Sequence, residues 1–153
     1  MTRKHGYMLT PLAMLNTLLN RLSRSLACYI CQARPFVSYR DENVWQVIEE
    51  IASRHRELSH RLSEEIIRLK GVPDAGSFPP TYTRFNDLAV DYIAPKIAQE
   101  LEETLTIIQK AKSEYHGHGE LDNLLNQLAD EVQAEIEALQ RELHEAHPQE
   151  CLK

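Results

Sequence analysis

The sequence predicts an all-α domain, a four-helix bundle with a long crossover between its second and third helices. Three observations carry this. Apolar residues recur at three-and-four spacing along four long stretches, which gathers them on one face of each helix. The connections between the stretches are short, long and short in turn. Glycine and proline mark where the helices stop rather than interrupting them, apart from Pro95.

The first helix is expected from an N-cap at Thr10, with Pro11 in its first turn, to about Arg34, just ahead of Pro35. Its inner face reads Leu15, Leu18, Leu22, Leu26, Tyr29 and Ala33. Cys28 and Cys31 form a Cys-x-x-Cys, but a redox pair of that kind sits where a helix begins, whereas these fall well inside one. On a continuous helix they lie roughly 120° to 180° from Leu22, on the outer face. The preferred reading is a small apolar patch at a subunit contact, with a redox or metal pair as the alternative.

Arg34 to Tyr39 is short enough only for an antiparallel return. The second helix, Asp41 to Lys70, has the longest uninterrupted pattern, with Val44, Ile48, Ile51, Leu58, Leu62, Ile66 and Leu69 on one face. Asp41 suits the N-cap, and Gly71 and Pro73 end the run. Its length is roughly 45 Å. His55 breaks the apolar seam between Ile51 and Leu58, so its imidazole is expected to point inward. Glu57 and His60 form a Glu-x-x-His, yet they lie roughly 200° and 140° from His55 and should face out.

Gly71 to Phe85 contains Gly71, Pro73, Gly76, Pro79 and Pro80 and shows no helical or strand pattern. A loop of this length needs a reason in a compact domain. Extended, it reaches about 50 Å, enough to traverse a bundle and leave the second and third helices parallel. The third helix is expected from Asn86 or Asp87 to about Glu114, kinked or split by Pro95, with Ile93, Ile97, Leu101, Thr104, Leu105, Ile108 and Ala111 inward. Glu100 lies roughly 70° from the centre of that face. His116-Gly117-His118-Gly119 turns the chain, read as a solvated loop rather than a metal site. The fourth helix, Leu121 to about His144, carries a near-heptad seam of Leu121, Leu125, Leu128, Val132, Ile136, Leu139 and Leu143. Glu135 and Glu131 lie roughly 60° and 100° off its centre. His147-Pro148 ends the fold, and residues 149–153 are expected to form a loose tail.

Composition bounds the function. With 153 residues, the chain reads as a single domain, 1–153, whose core spans about 10–144. A net charge of −6 without a basic stripe argues against a nucleic-acid partner. No apolar run approaches the ~18 residues needed to span a bilayer, and no signal peptide is recognised, so no membrane partner and a cytoplasmic location are expected. An odd count of three cysteines does not form a disulfide framework.

Short, long and short connections between four helices describe a ferritin-like arrangement. The stretch from Leu15-Asn16 to Gln32-Ala33-Arg34, including Tyr29, resembles the first helix of bacterioferritins. Ile66 to Pro73, with its Leu69-Lys70-Gly71-Val72-Pro73 ending, resembles the end of their second helix, and Lys96 to Ala111 their third. The resemblance covers most of residues 12 to 140. It implies a homodimer or larger oligomer and a di-iron centre built from a Glu on the first and third helices and a Glu-x-x-His on the second and fourth. Here Leu22 stands at the first Glu position, His55 and Leu58 stand at the second-helix Glu and His positions, and Glu100 matches the third. Glu135 or Glu131 replaces the fourth-helix motif without a following His, and Arg56 stands where the haem-binding methionine belongs, so no haem is expected.

The remaining donors, His55, Glu100, Glu135 and Glu131, suit at most one iron, zinc or manganese ion. The alternative is a core histidine hydrogen-bonded to Glu100 or Glu135, since an unpaired buried carboxylate is costly. No catalytic residue set emerges. The expected function is a ferritin-like protein of iron or oxidative-stress handling with a degenerate metal site and no ferroxidase activity. A non-enzymatic oligomeric scaffold or partner-binding bundle, and an oxidoreductase with a mononuclear His/Glu site, are the alternatives.

Overall fold

The computed structural model describes residues 10–117 and 119–148. His118, the first nine residues and the 149–153 tail, about which the sequence raised expectations, lie outside the described residues. Among the described residues the chain is all-helical and bundle-like, with α1 (Pro11–Ser23), α2 (Leu26–Ala33), α3 (Glu42–Arg68), α4 (Val90–Glu114) and α5 (Glu120–Ala146). None of these helices is long and apolar enough to cross a membrane.

The seams read from the sequence are the core. Leu15, Leu18 and Leu22 from α1 meet Ile48, Ile51, Leu62 and Ile66 from α3, and Ile93, Ile97, Leu101 and Ile108 from α4 meet Leu125, Leu128 and Leu139 from α5. The most extensive pairings are α4 with α5 and α1 with α3, while α3 also packs on α2 and α5. Each such side chain contributes about 1.5–3 kcal/mol on burial, before the entropy of ordering is set against it. Tyr29, Ala33, Leu69, Leu105 and Leu143, read as inward, end only half-buried.

Boundaries depart from expectation in four places. The first helix is not continuous but breaks at Arg24–Ser25. Asp41 makes no capping bond to α3; it closes a 3-10 turn at Tyr39–Asp41 and its carboxylate turns to His147 instead. The third long helix starts at Val90, after a 3-10 stretch at Pro80–Phe85, rather than at Asn86 or Asp87. Pro95 does not split it. Proline in the second turn removes only one intrahelical bond, so the helix runs on uninterrupted.

The link from α3 to α4 follows the first two helices along their length. Asn16 Nδ2 donates to Val72 O (3.2 Å) while its Oδ1 accepts from Asp74 N (2.8 Å). Asn20 Nδ2 donates to Ala75 O (2.7 Å) and Arg24 Nε to Gly76 O (2.8 Å). Phe78 and Tyr82 then pack on Tyr29, whose hydroxyl donates to Asn86 Oδ1. The link ends where Val90 N donates to Phe36 O (3.0 Å).

The end of α3 is a Schellman closure: Gly71 N donates to Ile66 O and Lys70 N to Ile67 O, both 2.9 Å. The left-handed position is occupied by Lys70, at φ 68°, and the glycine follows it. A Cβ on Gly71 would lie 2.6 Å from Leu12 Cδ2 and 3.2 Å from Ile66 Cγ2, so the Leu12 side chain would have to shift to admit one. Lys70→Gly should therefore raise stability by roughly 1 kcal/mol through relief of the left-handed strain. Gly71→Ala should lower it. Urea unfolding of the two variants reads both signs.

Candidate functional site at the helix break

Ser25 is why the first helix breaks. Its backbone is extended at φ −70° and ψ 158°, and its hydroxyl accepts from Cys28 N at 3.4 Å, which makes it the N-cap of a new helix. Arg24 is held out of the helix by its bond to Gly76 O and by Phe78, whose ring centroid lies 5.3 Å from its guanidinium carbon. A restarted helix exposes fresh amide donors. Leu26 N, the first of them, donates to Glu100 Oε1 of α4 at 2.8 Å. The negative carboxylate also suits the positive end of the α2 dipole. Glu100 Oε2 accepts from the Tyr82 hydroxyl. Burial, then the hydrogen bond and charge of Glu100, push the Tyr82 phenol well above its ordinary value. Beside it, Arg21 donates to the Thr104 hydroxyl through Nε (3.1 Å) and Nη2 (2.9 Å).

The break also hands Ser25 to the core. Its Oγ lies 2.8 Å from His55 Nδ1, and His55 Nε2 lies 2.8 Å from Glu135 Oε1 of α5. The imidazole and carboxylate are fully enclosed, at 1% and 0% side-chain exposure. Burial pulls the His55 pKa down, but the hydrogen bonds and charges of Cys28 and Glu135 outweigh it and hold it up at about 9. As imidazolium, both ring N–H groups donate, one to Ser25 Oγ and one to Glu135. Glu135 Oε2 has no hydrogen bond; Arg54 Nη1 lies 3.9 Å away, and the same guanidinium pairs with Glu131 at 3.2 Å.

Cys28 is the residue most displaced from its expected place. The helix restart puts it in the first turn of α2, and the turned axis directs it inward, leaving it 4% exposed. Its Sγ donates to Leu22 O at 3.6 Å and to Ala52 O at 3.8 Å, while its backbone N–H donates to Ser25 Oγ. Burial pushes its thiol up; the hydrogen bonds from His55 and Ser25 and the charges of His55 and Arg56 more than offset this, so it titrates below its ordinary value. Cys31, one turn on, is half-exposed, and burial together with the Glu49 charge raises its pKa to about 11. The outer-face assignment thus fails for Cys28, which is buried within its own chain and offers nothing to a subunit contact.

Of the four candidate donors, the structure joins His55 and Glu135. Glu100 is occupied by Leu26 and Tyr82, and Glu131 sits half-exposed with Arg54. Glu57 and His60 face solvent as their register predicts, His60 pairing with Glu64 at 3.2 Å. His116 is exposed and lies 3.9 Å from Asp122. Sequence reasoning missed Ser25 and Tyr82. The signal for Ser25 was present, since serine is a strong N-cap and a poor mid-helix residue.

A second cluster lies where α3 and α4 begin and α5 ends. Among the described residues, Asp41, Asp91 and His147 are the one group of three or more His, Cys, Asp or Glu side chains whose ligand atoms all lie within 4.8 Å of one another. Asp41 Oδ1 is 2.7 Å from His147 Nε2, and Asp41 Oδ2 accepts from Ser38 Oγ at 2.9 Å. Asp91 is exposed and the other two are buried. These residues are too far apart in sequence to share a spacing motif.

No protein-family model matches the chain, and no curated protein matches it either.

His55→Leu preserves volume but strips Glu135 of its buried partner and should cost about 3–5 kcal/mol in urea unfolding. His55→Gln, which still donates to Glu135, should cost less. The pH dependence has a definite sign. With a folded pKa of about 9 against an ordinary 6.5, the His55 contribution is fully present below pH 6.5 and is lost as pH rises through 9. Cys28 acts oppositely: its contribution is present above its ordinary 9.0 and lost as pH falls through its lowered value. His55→Leu should remove the fall in stability through pH 9 that His55 contributes, read by urea unfolding across pH 6 to 10.

Proposed function

We propose that the chain is a ferritin-like helical bundle of oxidative-stress handling whose di-iron centre has been rebuilt as a hydrogen-bonded polar core, and that it is not a ferroxidase. The observation that carries this reading is the occupation of the donors. Both His55 nitrogens and both Glu100 oxygens are bonded to protein groups, and the two residues do not share a partner. Leu22, at the position of the first-helix carboxylate, is fully buried among apolar side chains. A centre that holds two irons needs several carboxylates converging on one cavity, with their charge balanced by the metals. The residues here do not fit one.

The ferritin-like part of the proposal rests on the path of the link. Its bonds to Asn16, Asn20 and Arg24 occur in the same order as those residues occur in α1, and it ends at Phe36. A link that runs the length of α1 and α2 before α4 begins supports parallel α3 and α4 and a crossover between them.

Asp41, Asp91 and His147 favour a second reading, in which one divalent ion such as zinc, iron or manganese binds at the end of the bundle, away from His55. Cys31 and Arg56 remain available on the α2–α3 side for an isologous homodimer, without Cys28. Sedimentation as a concentration-independent monomer would remove the oligomer from the proposal.

Aerobic Fe(II) oxidation by the purified chain should not exceed the buffer rate. Rapid, saturable oxidation at two irons per chain, abolished by Glu100→Ala in a protein that keeps its helicity, would overturn the proposal. If zinc raises the melting temperature, Asp91→Asn should remove the effect and His55→Gln should not.

A further inference from the structure

We propose that a zinc ion held by Asp41, Asp91 and His147 anchors a small monocarboxylate, whose apolar body lies in the cleft between α4 and α5. The inference rests on the reading in which one divalent ion binds at the end of the bundle, and it adds what that ion would hold.

The three donors come from three helix ends. Asp41 closes the 3-10 turn ahead of α3, Asp91 lies in the first turn of α4, and His147 is the C-cap of α5. Two of them are not ordinary surface groups. The Asp41 and His147 side chains are each 4% exposed, and Ser38 Oγ orients the carboxylate by donating to its Oδ2 at 2.9 Å. Donor atoms ~2.1 Å from a tetrahedral zinc sit roughly 3.4 Å from one another. Asp41 Oδ1 and His147 Nε2, which lie 2.7 Å apart, would separate by less than an ångström as the metal displaces the proton between them. Asp91 is exposed and is the member that can swing to meet the ion. Three protein donors leave a fourth position open, the arrangement of a zinc that takes an outside ligand rather than of a closed structural site.

Independently of the donor distances, Asp91 and His147 both line a cleft of about 340 Å³ between α4 and α5, within the size range of small-molecule sites. Its walls follow from helix spacing. Asp91, Pro95, Ala98 and Glu102 share one face of α4, and Leu143 and Gln140 step back from His147 along α5. Pro95, Ala98 and Leu143 make the middle of the cleft apolar. Its far end is Glu102, roughly 16 Å along α4 from Asp91, where Glu102 Oε2 accepts from Gln140 Nε2 at 3.1 Å. Donors, apolar wall and acid in that order define the ligand. No lysine or arginine lines the cleft among the described residues, so the ion is the charge that an anionic head group would seek. Before the ion binds, Asp41 and Asp91 repel such a head group; a divalent ion neutralises both. An aliphatic body then leaves water for the apolar wall. Glu102 opposes a second anion at the far end, which favours a monocarboxylate over a dicarboxylate of the same length.

The test uses the full-length chain with cobalt(II) in place of zinc, because its visible bands report the coordination sphere. Titration should give one cobalt per chain, lost in Asp91→Asn and kept in His55→Gln. Octanoate should then change the bands of the cobalt-loaded chain and tighten cobalt binding on the order of tenfold, since the coupling between the two ligands is reciprocal. It should not bind the metal-free chain. Acetate, which reaches the ion but not the apolar wall, should bind on the order of tenfold more weakly than octanoate. Leu143→Asn should narrow that gap without changing cobalt binding. Pro95→Ser, at an exposed position, gives the same comparison should the half-buried Leu143 prove necessary for folding. Octanedioate should bind roughly twofold to fivefold more weakly than octanoate, a difference that Glu102→Gln should erase. A chain that takes up no stoichiometric cobalt would overturn the metal reading and this inference with it. Stoichiometric cobalt that is indifferent to octanoate would overturn this inference alone. So would octanoate that binds no tighter than acetate, or equally well without metal.

Discussion

Leu26 begins a helix whose first amide has no acceptor within that helix, and the carboxylate that meets it comes from Glu100, 74 residues further along the chain. This bond is the counterpart of the break at Arg24–Ser25. Without it, restarting the helix would leave a buried donor unmet, a cost of about 1–3 kcal/mol. With it, the restart is tolerated, and three consequences follow in the packing. Glu100 is fixed against Tyr82, Ser25 is freed to meet His55, and Cys28 is turned from the outer face to the inner one. The polar core of the bundle is thus a set of answers to one interruption of backbone hydrogen bonding.

Regular features of the fold were legible in the sequence because they depend on neighbours one or two turns away. The α3 seam from Val44 to Ile66, the inward aim of His55 and the outward aim of Glu57 and His60 all follow from a fixed angle per residue, and α3 is unbroken. The same arithmetic misplaced Cys28 because it carried the register of α1 across a joint that resets it. Asp41 failed for a related reason. It has the chemistry of a cap, but its partner is His147, 106 residues away, and a tertiary hydrogen bond displaced the local one. Glu135 was expected off the centre of its seam, yet it is buried, since His55 and Arg54 together offer what its carboxylate would otherwise need from water.

The two polar clusters differ in how they are enclosed, and that difference separates their chemistry. Around His55 each ring nitrogen is met by protein, and the Cys28 sulfur is closed off by the carbonyl oxygens of Leu22 and Ala52, which leaves the cluster without contact to solvent. Around Asp41 and His147 one wall is the exposed Asp91, so the cluster opens to solvent at the start of α4. The first is a feature of the interior, positioned by α2, α3 and α5. The second sits where three helix ends meet.

The ladder of side-chain bonds between α1 and the link has a consequence for how this chain tolerates changes in length. Asn16, Asn20 and Arg24 are spaced by one helical turn and grip Val72, Ala75 and Gly76 in register, so the helix acts as a ruler for a segment with no regular structure of its own. One residue added between Val72 and Gly76 would shift every later rung past its partner. It would also displace Gly76, whose φ of 72° is strained for any side chain and where a Cβ would lie 2.7 Å from Asn20 Nδ2. A residue added just after Gly76 meets no such ruler until Phe78 and Tyr82 reach Tyr29. A stretch without secondary structure is commonly the place where a fold absorbs insertions; here its first half is as length-constrained as a helix.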